Sequence, residues 1–218
     1  MNNHKDLTIE ETFDLALNNH KNNNPQDAQN YYQKVLRINP NHLGAHNNLG
    51  VLFKGLGEPK KAKECYEKAI EINPNHSDAH SNLGNIFKEL RETQKAKECF
   101  EKAIKINPNH VNAHNNLGNI FKKLGDYYKA KECYEKVIEI NPNHSDAHNN
   151  LGIVFNSLGE SKKAKECYEK AIEINPNHVN AHNNLGIVFN SLGENQKAKE
   201  CFEKAIKINP NYAKAHNN

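Results

Sequence analysis

The chain has 218 residues, with 29 basic and 26 acidic side chains, a formal charge of +3, no Trp and one Met. A balance this even gives no strong pull toward nucleic acid or an anionic membrane. No apolar run approaches a membrane span, and Met1 to Asp6 is polar, without the apolar core of a signal peptide.

Residues 1–8 read as an N-terminal extension. Beyond them the chain repeats. Ile-Asn-Pro ends at Pro40, Pro74, Pro108, Pro142, Pro176 and Pro210, a constant spacing of 34. The repeats run over 9–42, 43–76, 77–110, 111–144, 145–178 and 179–212, and 213–218 starts a seventh that stops inside its first helix.

Within 43–76, Ala45, Leu49, Leu52, Phe53 and Leu56 fall at helical spacing and predict a first helix with one apolar stripe. Gly57 breaks it at a position suited to positive φ. A second helix is predicted from about Pro59 to Ile72, with Pro at its start and Ala62, Tyr66, Ala69 and Ile70 as its stripe. Pro74 prevents continuation. Gly50 should cost roughly 1 kcal/mol inside a helix. It recurs as Gly84, Gly118, Gly152 and Gly186, which implies close approach of a neighbouring helix, with Ala62 and its equivalents keeping that helix slim. Tyr66, Phe100, Tyr134, Tyr168 and Phe202 are expected to fill space between units. A lone helix pair cannot bury such stripes, so the units must stack.

The first unit is degenerate: Ala16 and Asn19 stand where later units have Gly and Phe. In the third unit Arg91 replaces the turn Gly, which predicts local strain. His46, His80, His114, His148 and His182 occupy a first-helix position that suggests a looser core.

Leu-Gly in the first helix, Ala and an aromatic in the second, then Pro, over 34 residues, resembles the tetratricopeptide repeat. The resemblance covers 9–212 and implies an all-α, right-handed superhelical solenoid of helix-turn-helix units. It also implies that first helices line a concave groove and that the chain is a scaffold binding an extended protein or peptide.

On that face one Asn recurs, as Asn48, Asn82, Asn116, Asn150 and Asn184. Asn is unfavourable inside a helix, and its amide both donates and accepts. Stacked helices lie about 8–10 Å apart and an extended chain rises about 3.3 Å per residue, so such a ladder could bond a ligand backbone once in about three residues. The arrangement is similar to the asparagine ladder in the repeat domain of O-linked N-acetylglucosamine transferase. Lys54, Lys88, Lys122 and Lys123 make the earlier part of the face basic, against Asp78 and Glu89. Asn156, Ser157, Asn190 and Ser191 leave the later part neutral. Asn85 and Asn119 give way there to Ile153 and Ile187. The Lys/Asn/Arg set of the carboxylate clamp in related chaperone adaptors is not matched.

Two rival functions are an RNA-binding helical repeat and the targeting arm of a larger enzyme such as a glycosyltransferase. The first needs a basic groove with base-reading side chains, which half of this face lacks. No catalytic constellation or phosphate loop is present, so no enzyme and no cofactor is expected. Histidines four apart, such as His76 and His80, lack a third ligand, so no metal is expected. Five cysteines, each 34 from the next, form no ligand cluster. Free thiols of this kind point to a reducing, cytoplasmic setting. A seventh unit cut short, and Ile9, Phe13 and Leu17 at the other end, predict self-association through terminal units.

Overall fold

The computed structural model describes residues 7–211, and among them all regular structure is helical. Two compact units divide the chain, residues 1–110 and 111–218. The first holds α1 (Ile9–Lys21), α2 (Pro25–Ile38), α3 (Leu43–Gly55), α4 (Pro59–Ile72), α5 (Ser77–Glu89) and α6 (Thr93–Ile106). The second holds α7 (Val111–Lys123), α8 (Tyr127–Ile140), α9 (Ser145–Ser157), α10 (Ser161–Ile174), α11 (Val179–Ser191) and α12 (Asn195–Ile208). Each repeat is therefore a pair of helices, as the 34-residue period predicts. Within each unit the helices of a pair pack together, the second helix packs on the next pair, and successive first helices lie side by side, α3 by α5 and α7 by α9 by α11.

Asn-Pro and His punctuate the chain. Asn39 is extended, as a residue before Pro must be, and its Oδ1 accepts the Asn41 N–H at 3.1 Å. Asn73, Asn107, Asn141, Asn175 and Asn209 repeat that turn. His then caps the first helix. Nδ1 of His42, His76, His144 and His178 accepts the backbone N–H three residues on, at 3.0, 3.1, 3.2 and 3.3 Å. Four residues later the second histidine donates Nε2–H back to the proline carbonyl, from His46 to Pro40 at 2.8 Å and from His182 to Pro176 at 2.9 Å. These rings tie the first helix to the turn before it. The first repeat starts differently, with a capping box in which Thr8 and Glu11 exchange hydrogen bonds.

Tyr66 packs closely within its own repeat. Its ring lies on Gly50 of its own pair, so that a Cβ there would fall 2.6 Å from Cε1. Phe100 on Gly84, Tyr134 on Gly118, Tyr168 on Gly152 and Phe202 on Gly186 repeat the contact. Each glycine thus lets the second helix of its pair approach closely through its aromatic ring, and the alanines opposite are buried. Leu56 departs from expectation: it follows the last helical residue, caps α3, and is 44% exposed. Arg91 does occupy the left-handed region, at φ 62°, where Gly57, Gly125, Gly159 and Gly193 stand at φ 72° to 79°.

Lysines of the second helices bridge neighbouring pairs. In unit one, Lys63 of α4 and Lys95 of α6 stand over the Phe87 ring at 5.7 and 5.4 Å. In unit two, Lys131 and Lys163 flank Phe155, and Lys165 and Lys197 flank Phe189. A face that reads in sequence as a solvated Lys/Glu exterior thus carries cation–π contacts from one repeat to the next.

Candidate functional site

The recurrent asparagines stand on the first helices, each half-buried. In unit one, Asn48 Oδ1 accepts from Asn47 Nδ2 at 3.3 Å, and Asn82 Nδ2 donates to Asn47 Oδ1 at 3.4 Å. In unit two, Asn184 Nδ2 donates to Asn149 Oδ1 at 3.0 Å, and its own Oδ1 accepts from Asn183 at 3.5 Å. Asn82 and Asn184 are therefore bonded to an asparagine of the preceding repeat, a role the sequence did not reveal. A primary amide offers two N–H groups and two lone pairs. The bonds named for Asn48, Asn82 and Asn184 use at most half of that capacity.

The lysines differ in their surroundings. Lys54 pairs with Glu89 at 3.6 Å across two first helices of unit one. Lys88 is held below the ordinary lysine range by loss of hydration and then by the nearby Lys54 charge. Lys122, on α7, donates to Asn150 Oδ1 at 2.7 Å. The Asn/Ile positions divide as well. Asn119 accepts from the Tyr134 hydroxyl at 2.8 Å and so serves the core, whereas Asn85 belongs to the repeat whose aromatic is Phe100, a ring without a hydroxyl. Ile153 is half-buried, and Ile187 is 40% exposed. Lys54, Lys88, Asn48, Asn82 and Asn85 thus belong to unit one. Lys122, Asn116, Asn119, Asn150, Asn184, Ile153 and Ile187 belong to unit two.

Burial pushes the thiols of Cys65, Cys99 and Cys201 up to about 11 and that of Cys167 to about 12, with neighbouring glutamates adding to the effect, so they stay protonated. His178 Nε2 stands 3.1 Å from Asp146 Oδ1 but off the line of a hydrogen bond, leaving an electrostatic contact between adjacent turns. Among the described residues no group of three or more His, Cys, Asp or Glu is placed to hold a metal, and no helix is long and apolar enough to cross a membrane. At the N-terminal end, Phe13 packs at a tilt against His42 and Tyr32, with ring centres 4.6 and 6.0 Å apart, so this member of the expected association surface is engaged within unit one. The start of a seventh repeat, 213–218, lies outside the described residues.

Solved structures share this architecture. YrrB, described as a TPR protein with an unusual peptide-binding site, is 25% identical over 85% of this chain and 96% of its own, with a TM-score of 0.71. MamA is 26% identical over 76% of this chain and 91% of its own, with a TM-score of 0.66. PilF of Pseudomonas aeruginosa, 20% identical over 96% of this chain and 95% of its own, has a TM-score of 0.85 and supports the fold alone. No curated protein matches the chain. Family models described as tetratricopeptide repeat match residues 13–42, 44–76, 77–110, 111–144, 145–178 and 179–212. The chain belongs to the tetratricopeptide-repeat family.

Proposed function

We propose that the chain is a binding scaffold, without catalysis of its own, that holds an extended polypeptide along the first-helix faces of its units. The observation that carries this reading is the unspent hydrogen-bonding capacity of half-exposed amides at one point of successive repeats. Asn48 and Asn82 provide it in unit one, and Asn150 and Asn184 in unit two. Backbone of any sequence can use such groups, because every peptide unit offers one donor and one acceptor. The arrangement is similar to the asparagine ladder of O-linked N-acetylglucosamine transferase, and YrrB, a member of the same family, has a peptide-binding site by its description. Lys54 and Lys88 favour acidic segments on unit one, while Ile153 and Ile187 favour apolar side chains on unit two.

The test is a double substitution, Asn116→Ala with Asn184→Ala. Peptide affinity measured by calorimetry should fall by about 1–3 kcal/mol, the cost of lost backbone hydrogen bonds. Helix content should be retained. Unchanged affinity for a peptide that competes at this face would remove the ladder from the mechanism.

A further inference from the structure

Lys122 stands apart from Lys54 in what it touches. Its Nζ donates to Asn150 Oδ1 at 2.7 Å and stands 5.7 Å from the centre of the Tyr134 ring. Both partners are neutral, whereas Lys54 has Glu89. Among the described residues Lys122 forms no ion pair with a carboxylate. It is half-buried, and loss of hydration holds its ammonium below the ordinary lysine range. A partly dehydrated cation without a counter-ion favours any anion that can reach it.

A second observation concerns Asn115. Its Oδ1 is buried and has no hydrogen-bond partner. At the equivalent places Asn47 Oδ1 accepts from Asn82, and Asn149 Oδ1 accepts from Asn184. Asn150 is the residue of the next repeat that corresponds to those two donors. Its Nδ2 does not bond Asn115, and its oxygen accepts from Lys122. The orphaned acceptor and the unpaired cation therefore meet at one side chain, Asn150.

Resting on the reading of this face as the polypeptide groove, we infer that Lys122 is the binding position for an Asp or Glu side chain of the bound segment, and that its capture releases the Asn150 oxygen, so that the amide turns its Nδ2–H to Asn115 Oδ1. Asn150 is the middle rung of unit two, between Asn116 on α7 and Asn184 on α11. A segment running along the ladder passes Lys122 partway along its length, so the carboxylate it meets belongs to a side chain. An empty groove keeps Lys122 partly satisfied through Asn150. An acidic ligand replaces a neutral acceptor with a charged one, a stronger hydrogen bond, and the released amide fills the vacancy at Asn115.

The experiment follows the side-chain amide signals of Asn115 and Asn150 by NMR in the full chain at constant ionic strength. The probes are N-acetylglutamate N-methylamide, its glutamine counterpart, and N-acetylalanine, which carries only a terminal carboxylate. The glutamate probe should shift both amides saturably, and the glutamine probe should shift neither. Lys122→Met should abolish the response and, without any probe, move both amides toward their bound positions. Lys122→Arg, which keeps the charge, should retain the response. Equal shifts from glutamate and glutamine probes, a response surviving in Lys122→Met, or no saturation would overturn the assignment. A response to N-acetylalanine alone would overturn it in favour of a chain terminus. None of these outcomes touches the ladder itself, which stands or falls with the Asn116 and Asn184 substitutions.

Discussion

The ring of Tyr168 lies so close over Gly152 that a Cβ on that glycine would fall 2.6 Å from Cε1 and 2.8 Å from Cδ1. Both residues are buried, and the ring is held on its other sides by the packed helices of unit two. Gly152→Ala should gain about 1 kcal/mol of helix propensity and lose more than that to overpacking, typically about 1–3 kcal/mol. Thermal melting should show net destabilisation. An unchanged or raised midpoint would mean that the ring can move aside.

Arg91 is the reverse case. Its φ of 62° is one that its repeat equivalents reach with glycine. A non-glycine residue costs roughly 1–2 kcal/mol there, offset partly by the greater freedom of glycine in the unfolded chain. Arg91→Gly should therefore stabilise unit one by about 0.5–1 kcal/mol. Urea titration of residues 1–110 within the whole chain, followed by a local probe, measures it.

Tyr66 is buried with a hydroxyl that has no partner. Tyr134, its equivalent, donates to Asn119, and Val51 stands where that asparagine would be. Val51 is 39% exposed, so little apolar burial is lost on replacing it. Val51→Asn should supply the acceptor and stabilise by about 0.5–1.5 kcal/mol. Tyr66→Phe in the Val51→Asn background should cancel the gain, and if it does not, the gain has another source.

Stability should fall on mild acidification. Burial lowers the pKa of His182, opposed by its bond to Pro176 and reinforced by Lys204 and His178, and burial alone lowers that of His20. The folded state then favours the neutral rings, and the unfolded chain binds more protons between the two values. Stability is complete above the unfolded value, about 6.5, and declines as pH falls from there through the folded value. Melting temperatures between pH 7.5 and pH 5 should show this slope, and His182→Gln should reduce it.

The period, the helix boundaries and the proline turns were legible because they follow from local chemistry. Pro59 can only start α4, Pro74 can only end the repeat, and Gly57 marks a turn that Arg91 strains. The abundance of asparagine was only half legible. The sequence singled out Asn48 and its equivalents, but the turn role of Asn39 requires seeing its Oδ1 on the Asn41 N–H. The caps formed by His42 and its equivalents were hidden because histidine carries little prior weight as a cap. Least visible was the bonding of the ladder. Whether Asn184 faces a ligand or Asn149 is decided by rotamers 35 residues apart, and no local pattern records them.

The lysine contacts on Phe87, Phe155 and Phe189 have a bearing on how this chain could change length. The lysine from one side of each boundary and the ring from the other are the same residue types at the same repeat positions. If residues 145–178 were lost, Lys131 would come to precede the repeat of Phe189 just as it now precedes that of Phe155. The new seam would have the chemistry of the old one. Repeats joined by such identical couplings are interchangeable parts, and whole 34-residue segments can be gained or lost without a new interface having to arise.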